Sequence, residues 1–128
     1  MKVFDSTVLI AHLRGVQAAT ALLRKAVEAN EAACSVLSRI EIEGGMRSAE
    51  RAAVSRLFAA LKLEPVTDAI ARRAAAHLRV YRRSHPGVDI VDYVVAATAE
   101  TLGAELLTLN VKHFPMLTGL GSAFRSTS

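Results

Sequence analysis

The stretch KVFDSTVLIAHL, residues 2–13, decides the fold. Residues 2–5 (KVFD) are short and β-prone, and the Ser6-Thr7 pair then opens an apolar series, Leu9, Ile10 and Leu13, at helical spacing. The pattern predicts a strand, a tight turn and a helix in immediate succession, and it recurs downstream. Residues 32–37 (AACSVL) are small or β-branched, as in a buried strand, and Ser38-Arg39-Ile40-Glu41 has the S-x-x-E form that starts helices. Asp89-Ile90-Val91-Asp92 opens a further helix that closes at Gly103, where a left-handed cap belongs, and residues 104–109 (AELLTL) then read as a strand.

The intervening segments fit the same alternation. Gly15 breaks the first helix, and an amphipathic run follows through Ala19, Leu22, Leu23, Ala26 and Val27. Residues 50–61 carry a helical face of Val54, Leu57, Phe58 and Leu61. Residues 63–66 form a brief strand that Pro65 demotes to a sheet edge. A long Ala/Arg-rich helix runs from Thr67-Asp68 to about Arg83, and Pro86 and Gly87 enforce a loop after it. A single turn is predicted at residues 111–114, and the polar end, RSTS, is expected to fray. Strand and helix alternating in this way predict an α/β layer fold with a mainly parallel sheet.

The chain has 128 residues, which predicts one domain over 1–128. With 52% hydrophobic and 22% charged residues it can build a core without metal or disulfide staples, so disorder is excluded as the main state. The single cysteine, Cys34, rules out an internal disulfide or a Cys-rich zinc cage and suits a reducing, cytoplasmic compartment. Apolar runs fall well short of the ~20 residues needed to span a bilayer, so no membrane association is expected. Lys+Arg 16 against Asp+Glu 12 gives +4, a weak lean toward a polyanionic partner. Aromatic residues, at 5%, are too few for a stacking platform, so a nucleic acid would be held by its backbone. Gly44-Gly45 and Gly119-Leu120-Gly121 lack the Lys and Ser/Thr of a phosphate-cradling loop.

In parallel α/β sheets, ligands bind beyond the carboxyl ends of the strands. Asp5 ends the first predicted strand, Glu41 lies in the first turn after the second, and Asp89 and Asp92 open the helix before the last. Each has a structural explanation as well. Glu41 suits a capping box with Ser38, Asp89 a helix N-cap, and Asp92 the helix dipole. Asp5 is the hardest to dismiss, because a carboxylate directly after Val3-Phe4 loses much of its hydration. Acids gathered at one rim must take up protons, spread apart or bind a cation. Oxygen ligands favour Mg²⁺ or Mn²⁺, whereas the scattered His12, His77, His85 and His113 give no zinc pattern. With no Ser-His or Cys-His arrangement, the chemistry predicted is metal-assisted attack of water on a phosphodiester. Arg82, Arg83 and Lys112 are candidates to hold the substrate backbone, and Arg14, Arg47 and Arg51 could also face it.

These residues resemble the PIN-domain ribonucleases, and within them the VapC toxins of type II toxin–antitoxin pairs. KVFDSTVLI resembles the family's opening strand and turn, with Asp5 as its metal-binding aspartate and Ser6 or Thr7 as the hydroxyl that follows. SVLSRIEIEGGMR places Glu41 at the family's glutamate. DIVDYVVAATAETLGAELLTLNVKHFPML makes Asp92 the central aspartate. One departure stands out: Asn110 occupies the place where many relatives carry a fourth acid, which predicts one firmly bound ion and leaves Asp89 as a partial substitute for the missing charge or simply an N-cap. The resemblance implies a three-layer α/β/α sandwich, a Mg²⁺- or Mn²⁺-dependent endoribonuclease, a homodimer, and a cognate antitoxin that blocks it. On this reading Asp5, Glu41 and Asp92 bind the metal, Asn110 and Thr7 position water or ligands, and Ser38 and Asp89 support them.

Two alternatives remain open from the sequence. One is a non-catalytic α/β module that binds a protein partner and whose acids are helix caps; Leu9, Leu13, Val16, Leu22, Leu57 and Phe58 supply more apolar surface than one helix face needs. The other is phosphotransfer through a covalent Asp5, which the Thr at position 7 disfavours, since that chemistry calls for a second aspartate there.

Overall fold

Four short strands, β1 (Lys2–Phe4), β2 (Ala32–Ser35), β3 (Lys62–Glu64) and β4 (Glu105–Leu107), pair in the order β3-β2-β1-β4, and every pairing is parallel. The computed structural model describes residues 1–125, so most of the RSTS tail lies outside the described residues. Parallel pairing requires a crossover after each strand. These crossovers are α1 (Ser6–Leu13) and α2 (Gln17–Glu28), α3 (Val36–Gly45) and α4 (Arg51–Ala60), then α5 (Asp68–Tyr81) and α6 (Ile90–Leu102). The lone β3, ending just before Pro65, takes an outer position, where the missing amide of a proline costs nothing.

Successive side chains of a strand point to opposite faces, and two separate cores follow from that alternation. Phe4, Cys34 and Leu107 pack with Val8, Leu9, Leu23, Val54, Leu57 and Phe58, beneath α1 to α4. Val3 and Leu106 pack with Ile70, Tyr93, Val95 and Phe114, beneath α5 and α6. The result is the three-layer α/β/α arrangement with a parallel sheet. Helix α6 is buried along Tyr93–Ala99, which is why VVAATA reads as a continuous apolar run with no polar stripe. It ends at Gly103, whose φ of 61° lies in the left-handed region that a side chain disfavours.

Several local expectations need correction. Helix α3 starts at Val36, because Ser35 is the N-cap and its hydroxyl accepts from Leu37 N at 3.2 Å. The second strand is therefore two residues shorter than its β-branched composition suggested. Ser38 is not a cap: it lies inside the helix, fully buried, with no hydrogen-bond partner for its hydroxyl among the described residues. Glu41 accordingly sits in the second turn and makes no capping box. Strand β4 stops at Leu107 because Thr108 turns inward to a polar partner. The apolar excess that suggested a docking face is mostly core: Leu9, Leu57 and Phe58 are buried, Leu13 and Leu22 pack against them, and only Val16 is exposed.

Candidate active site

The register Phe4↔Leu107 ends β1 and β4 together, and β2 ends one pairing away, so the residues that follow them share one rim of the sheet. Asp5 follows β1 and is the backbone N-cap of α1, yet its side chain caps nothing. It is buried, 5% exposed, and its Oδ2 accepts from the Thr7 hydroxyl at 2.7 Å and from the fully buried Thr108 hydroxyl at 2.8 Å. The same two threonines fix the segment after β4. Leu109 N donates to Thr7 Oγ1 at 3.0 Å, and Asn110 N donates to Thr108 Oγ1 at 2.9 Å. Strand β1 and the chain beyond β4 are thereby locked around one carboxylate.

Glu41 comes to the rim from α3 and accepts from the Ser6 hydroxyl at 2.7 Å through Oε1. Partial burial of its carboxyl end pushes its pKa up, the Ser6 bond opposes this, and the charges of Asp5 and Asp89 add to the rise. Asp92 stands at the N-terminus of α6 and forms a reciprocal capping box with Asp89: Asp92 N donates to Asp89 Oδ1 at 3.1 Å, and Asp89 N to Asp92 Oδ2 at 3.2 Å. Desolvation raises Asp92 to about 6; the Asp89 amide and His113 oppose that, whereas the charges of Asp89 and Asp5 reinforce it. The acids thus feel one another across three segments far apart in the chain.

Asp89 is the N-cap and lies exposed, so its side chain is committed to the helix terminus. Asn110 is half-buried after β4, and its side-chain amide makes no hydrogen bond among the described residues. Arg82, Arg83 and Lys112 are exposed and form no ion pair among the described residues, with Arg82 capping α5 at the start of the loop to Asp89. Two contributors escaped the sequence reading. Thr108 gave no signal beyond a hydroxyl at a strand end. His113, read as an ordinary packed or exposed histidine, places Nδ1 3.0 Å from Asp92 Oδ2.

Among the described residues, no three His, Cys, Asp or Glu side chains close in tightly enough to enclose a cation. The donor set nevertheless fits a hard ion. Mg²⁺ typically keeps several of its waters and takes one or two carboxylates directly, so an open rim of acids suits it better than a closed cage. No donor from the described residues reaches Asp5 Oδ1, Glu41 Oε2 or Asp92 Oδ1, which leaves one oxygen on each acid available. Among the described residues no guanidinium or ammonium pairs with any of the three. Burial is the main cause of the raised values at Glu41 and Asp92, and the charges of neighbouring acids add to it.

Comparison with known proteins places the chain in a family. The sequence profile of the PIN domain matches residues 2–115. Ribonuclease VapC10 of Mycobacterium tuberculosis is 50% identical over 124 residues, covering 97% of this chain and 93% of that protein. Ribonuclease VapC19 of the same organism is 46% identical over 121 residues, covering 94% and 97%. A solved toxin–antitoxin complex from Klebsiella pneumoniae contains a chain that superposes with a TM-score of 0.78 over 98% of this chain and 100% of its own, and at 22% identity it speaks for the fold. A profile spanning most of the chain and two ribonucleases matched at about half identity over nearly their whole length lead to one assignment: this chain belongs to the PIN domain family, among its VapC ribonucleases.

Proposed function

We propose that this protein is an endoribonuclease, the toxin of a toxin–antitoxin pair, that uses Mg²⁺ or Mn²⁺ held by Asp5, Glu41 and Asp92. The observation that carries this reading is that three acids, Asp5 at the N-cap of α1, Glu41 on α3 and Asp92 on α6, face one rim with no Lys or Arg partner among the described residues. A bound divalent ion supplies charge neutralisation at the phosphodiester and acidifies the attacking water. The chain's own contribution is orientation. Thr7 and Thr108 hold Asp5, Ser6 holds Glu41, and the Asp89 amide holds Asp92. Asn110 adds an uncharged amide beside them, and buried Ser38 lies on the same helix as Glu41. Arg82, Arg83 and Lys112 contact RNA phosphates as exposed point charges, giving salt-dependent affinity.

The partner-binding alternative explains Asp89 and Asp92 as caps, which they are. It leaves Asp5 and Glu41 unexplained, since neither side chain caps a helix. A cognate antitoxin as partner rests on the VapC relatives and on the Klebsiella complex. For a homodimer the support is the family likeness together with exposed apolar side chains, Val36 and Ile40 one turn apart on α3 and Val80 and Ile90 elsewhere. Among the described residues no helix is long and apolar enough to cross a membrane. The test is an RNA digest with Mg²⁺ or Mn²⁺, with and without chelator. Cleavage that stops on chelation and returns on adding the ion back supports the reading, and cleavage indifferent to chelator overturns it.

A further inference from the structure

Asp92 is half of a capping box, and a capping box by itself gives no reason for a histidine to approach the same carboxylate. His113 does approach it, from the short 3-10 turn Val111–His113 that follows β4. That turn is held at both ends. Asn110 N is bound to the Thr108 hydroxyl that also donates to Asp5, and Phe114, 1% exposed, is sunk into the core beneath α6. Inside the turn, His113 N donates to Asn110 O at 3.0 Å. The imidazole position is therefore set by the backbone, and its outer edge remains open to solvent, with the side chain 37% exposed.

An ionised carboxylate only accepts, so the Nδ1 facing Asp92 carries the hydrogen. Asp92 Oδ2 thus receives two donors, the Asp89 amide at 3.2 Å and His113 Nδ1 at 3.0 Å, while Oδ1 receives none from the described residues. Two donors on one oxygen fix the rotation of the carboxylate and leave the other oxygen free.

We propose that His113 is a positioning residue for the metal site, its Nδ1–H clamping Asp92 by Oδ2 so that Oδ1 is presented to the divalent ion. This rests on the reading of Asp92 as a metal ligand. The segment after β4, which supplies Asn110 and no acid, then contributes to the site through a hydrogen bond to another segment's carboxylate. Such supporting hydrogen bonds change metal affinity by roughly 10- to 100-fold in other sites.

Mn²⁺ binding to the intact protein, measured by calorimetry without RNA, tests this alongside cleavage rates at several Mn²⁺ concentrations. Asp92→Asn is the control for the underlying reading: if it leaves Mn²⁺ affinity unchanged, Asp92 is no ligand and that reading fails. If Asp92→Asn loses binding, His113 is tested in its own right. His113→Ala is expected to weaken Mn²⁺ binding by about tenfold or more, with cleavage recovering at high Mn²⁺ and the KM for RNA unchanged. His113→Asn is expected to restore binding to within about threefold, because its Nδ2 stands where the imidazole Nδ1 stood, whereas His113→Gln, one bond longer, is expected to behave like Ala. Wild-type affinity in His113→Ala overturns the proposal. So does equal loss in all three variants, which would mean that the ring serves some purpose other than its Nδ1 donor. Unchanged melting of the His113→Asn and His113→Gln proteins keeps the comparison free of folding effects.

Discussion

The carboxylates of this protein fall into two groups with opposite surroundings. Outside the Asp5, Glu41, Asp89 and Asp92 group, most acids meet a Lys or Arg: Glu43 pairs with Arg39 at 2.9 Å, Asp68 with Arg72 at 3.0 Å, Glu50 with Arg47 at 3.2 Å, Glu64 with Lys62 at 3.4 Å, and Glu105 with Lys2. Within the group, no Lys or Arg of the described residues reaches an acid, and the closest basic contact is His113 on Asp92. A shortage of cations does not explain this, since Lys+Arg outnumber Asp+Glu by 16 to 12. Among the described residues Glu28, which ends α2, and Glu31, which follows it, form no ion pair, and Glu100 meets only His77. At this rim hydroxyls fix Asp5 and Glu41, and an amide and an imidazole fix Asp92, where Lys or Arg pairs most other acids. That arrangement costs folding stability in the metal-free protein and leaves a negative field for an incoming cation.

The contrast can be broken or sharpened by substitution. The largest effect is expected at Asp5. Asp5→Asn keeps an oxygen for the Thr7 and Thr108 hydroxyls and removes the charge, so cleavage of RNA should fall by about 10³-fold, roughly 4 kcal/mol of transition-state stabilisation, while thermal melting shows an intact fold. Wild-type cleavage by this variant would remove Asp5 from the site. Next is Asn110→Asp, which makes the rim more negative. Mn²⁺ should bind several-fold more tightly, and the metal-free protein should melt lower; unchanged binding would place residue 110 outside the field of the acids.

A smaller effect should appear in the pH dependence of the metal-free protein. Asp92 is raised from 3.8 to about 6 in the folded state, so it holds its proton more tightly folded than unfolded. Its contribution is present in full below the unfolded value and is lost as pH rises through the folded value. Stability without metal should therefore decline between about 4 and 6, and Glu41, shifted in the same direction, deepens the decline. Melting temperatures across that interval, with and without Mn²⁺, measure it. The ion should raise the melting temperature more at the upper end, where the carboxylates are charged. Stability that rises with pH in the Asp92→Asn protein and in wild type alike would show that Asp92 does not govern the interval. The smallest effect belongs to the other group: Asp68→Asn breaks an exposed i,i+4 pair on α5, and neither cleavage nor melting temperature should change measurably.

Much of this was legible in the residues alone. Hydrophobic periodicity and punctuation by Gly15, Pro65 and Gly103 revealed the strand–helix alternation, because each acts through backbone geometry that needs no distant partner. Asp5 was legible as a candidate site residue for a local reason too, a charge directly after a buried strand. The start of α3 was misplaced because Ser35 and Ser38 are chemically equivalent caps. Which of them ends the strand depends on where β2 stops pairing with β3 at Ser35↔Glu64. His113 and Thr108 were invisible for the same kind of reason: their partners, Asp92 and Asp5, lie 21 and 103 residues away.

By itself, then, the amino-acid order determined the elements, the parallel α/β class and the family motifs, all of which follow from interactions between near neighbours in the chain. Only the tertiary structure decided which oxygen of each acid is held and which is left free, that Asp89 is spent on the helix end, and that a histidine rather than a fourth acid supports Asp92. Those outcomes depend on hydrogen bonds of 3 Å between distant segments, and such distances exist only once β1, β2 and β4 are side by side.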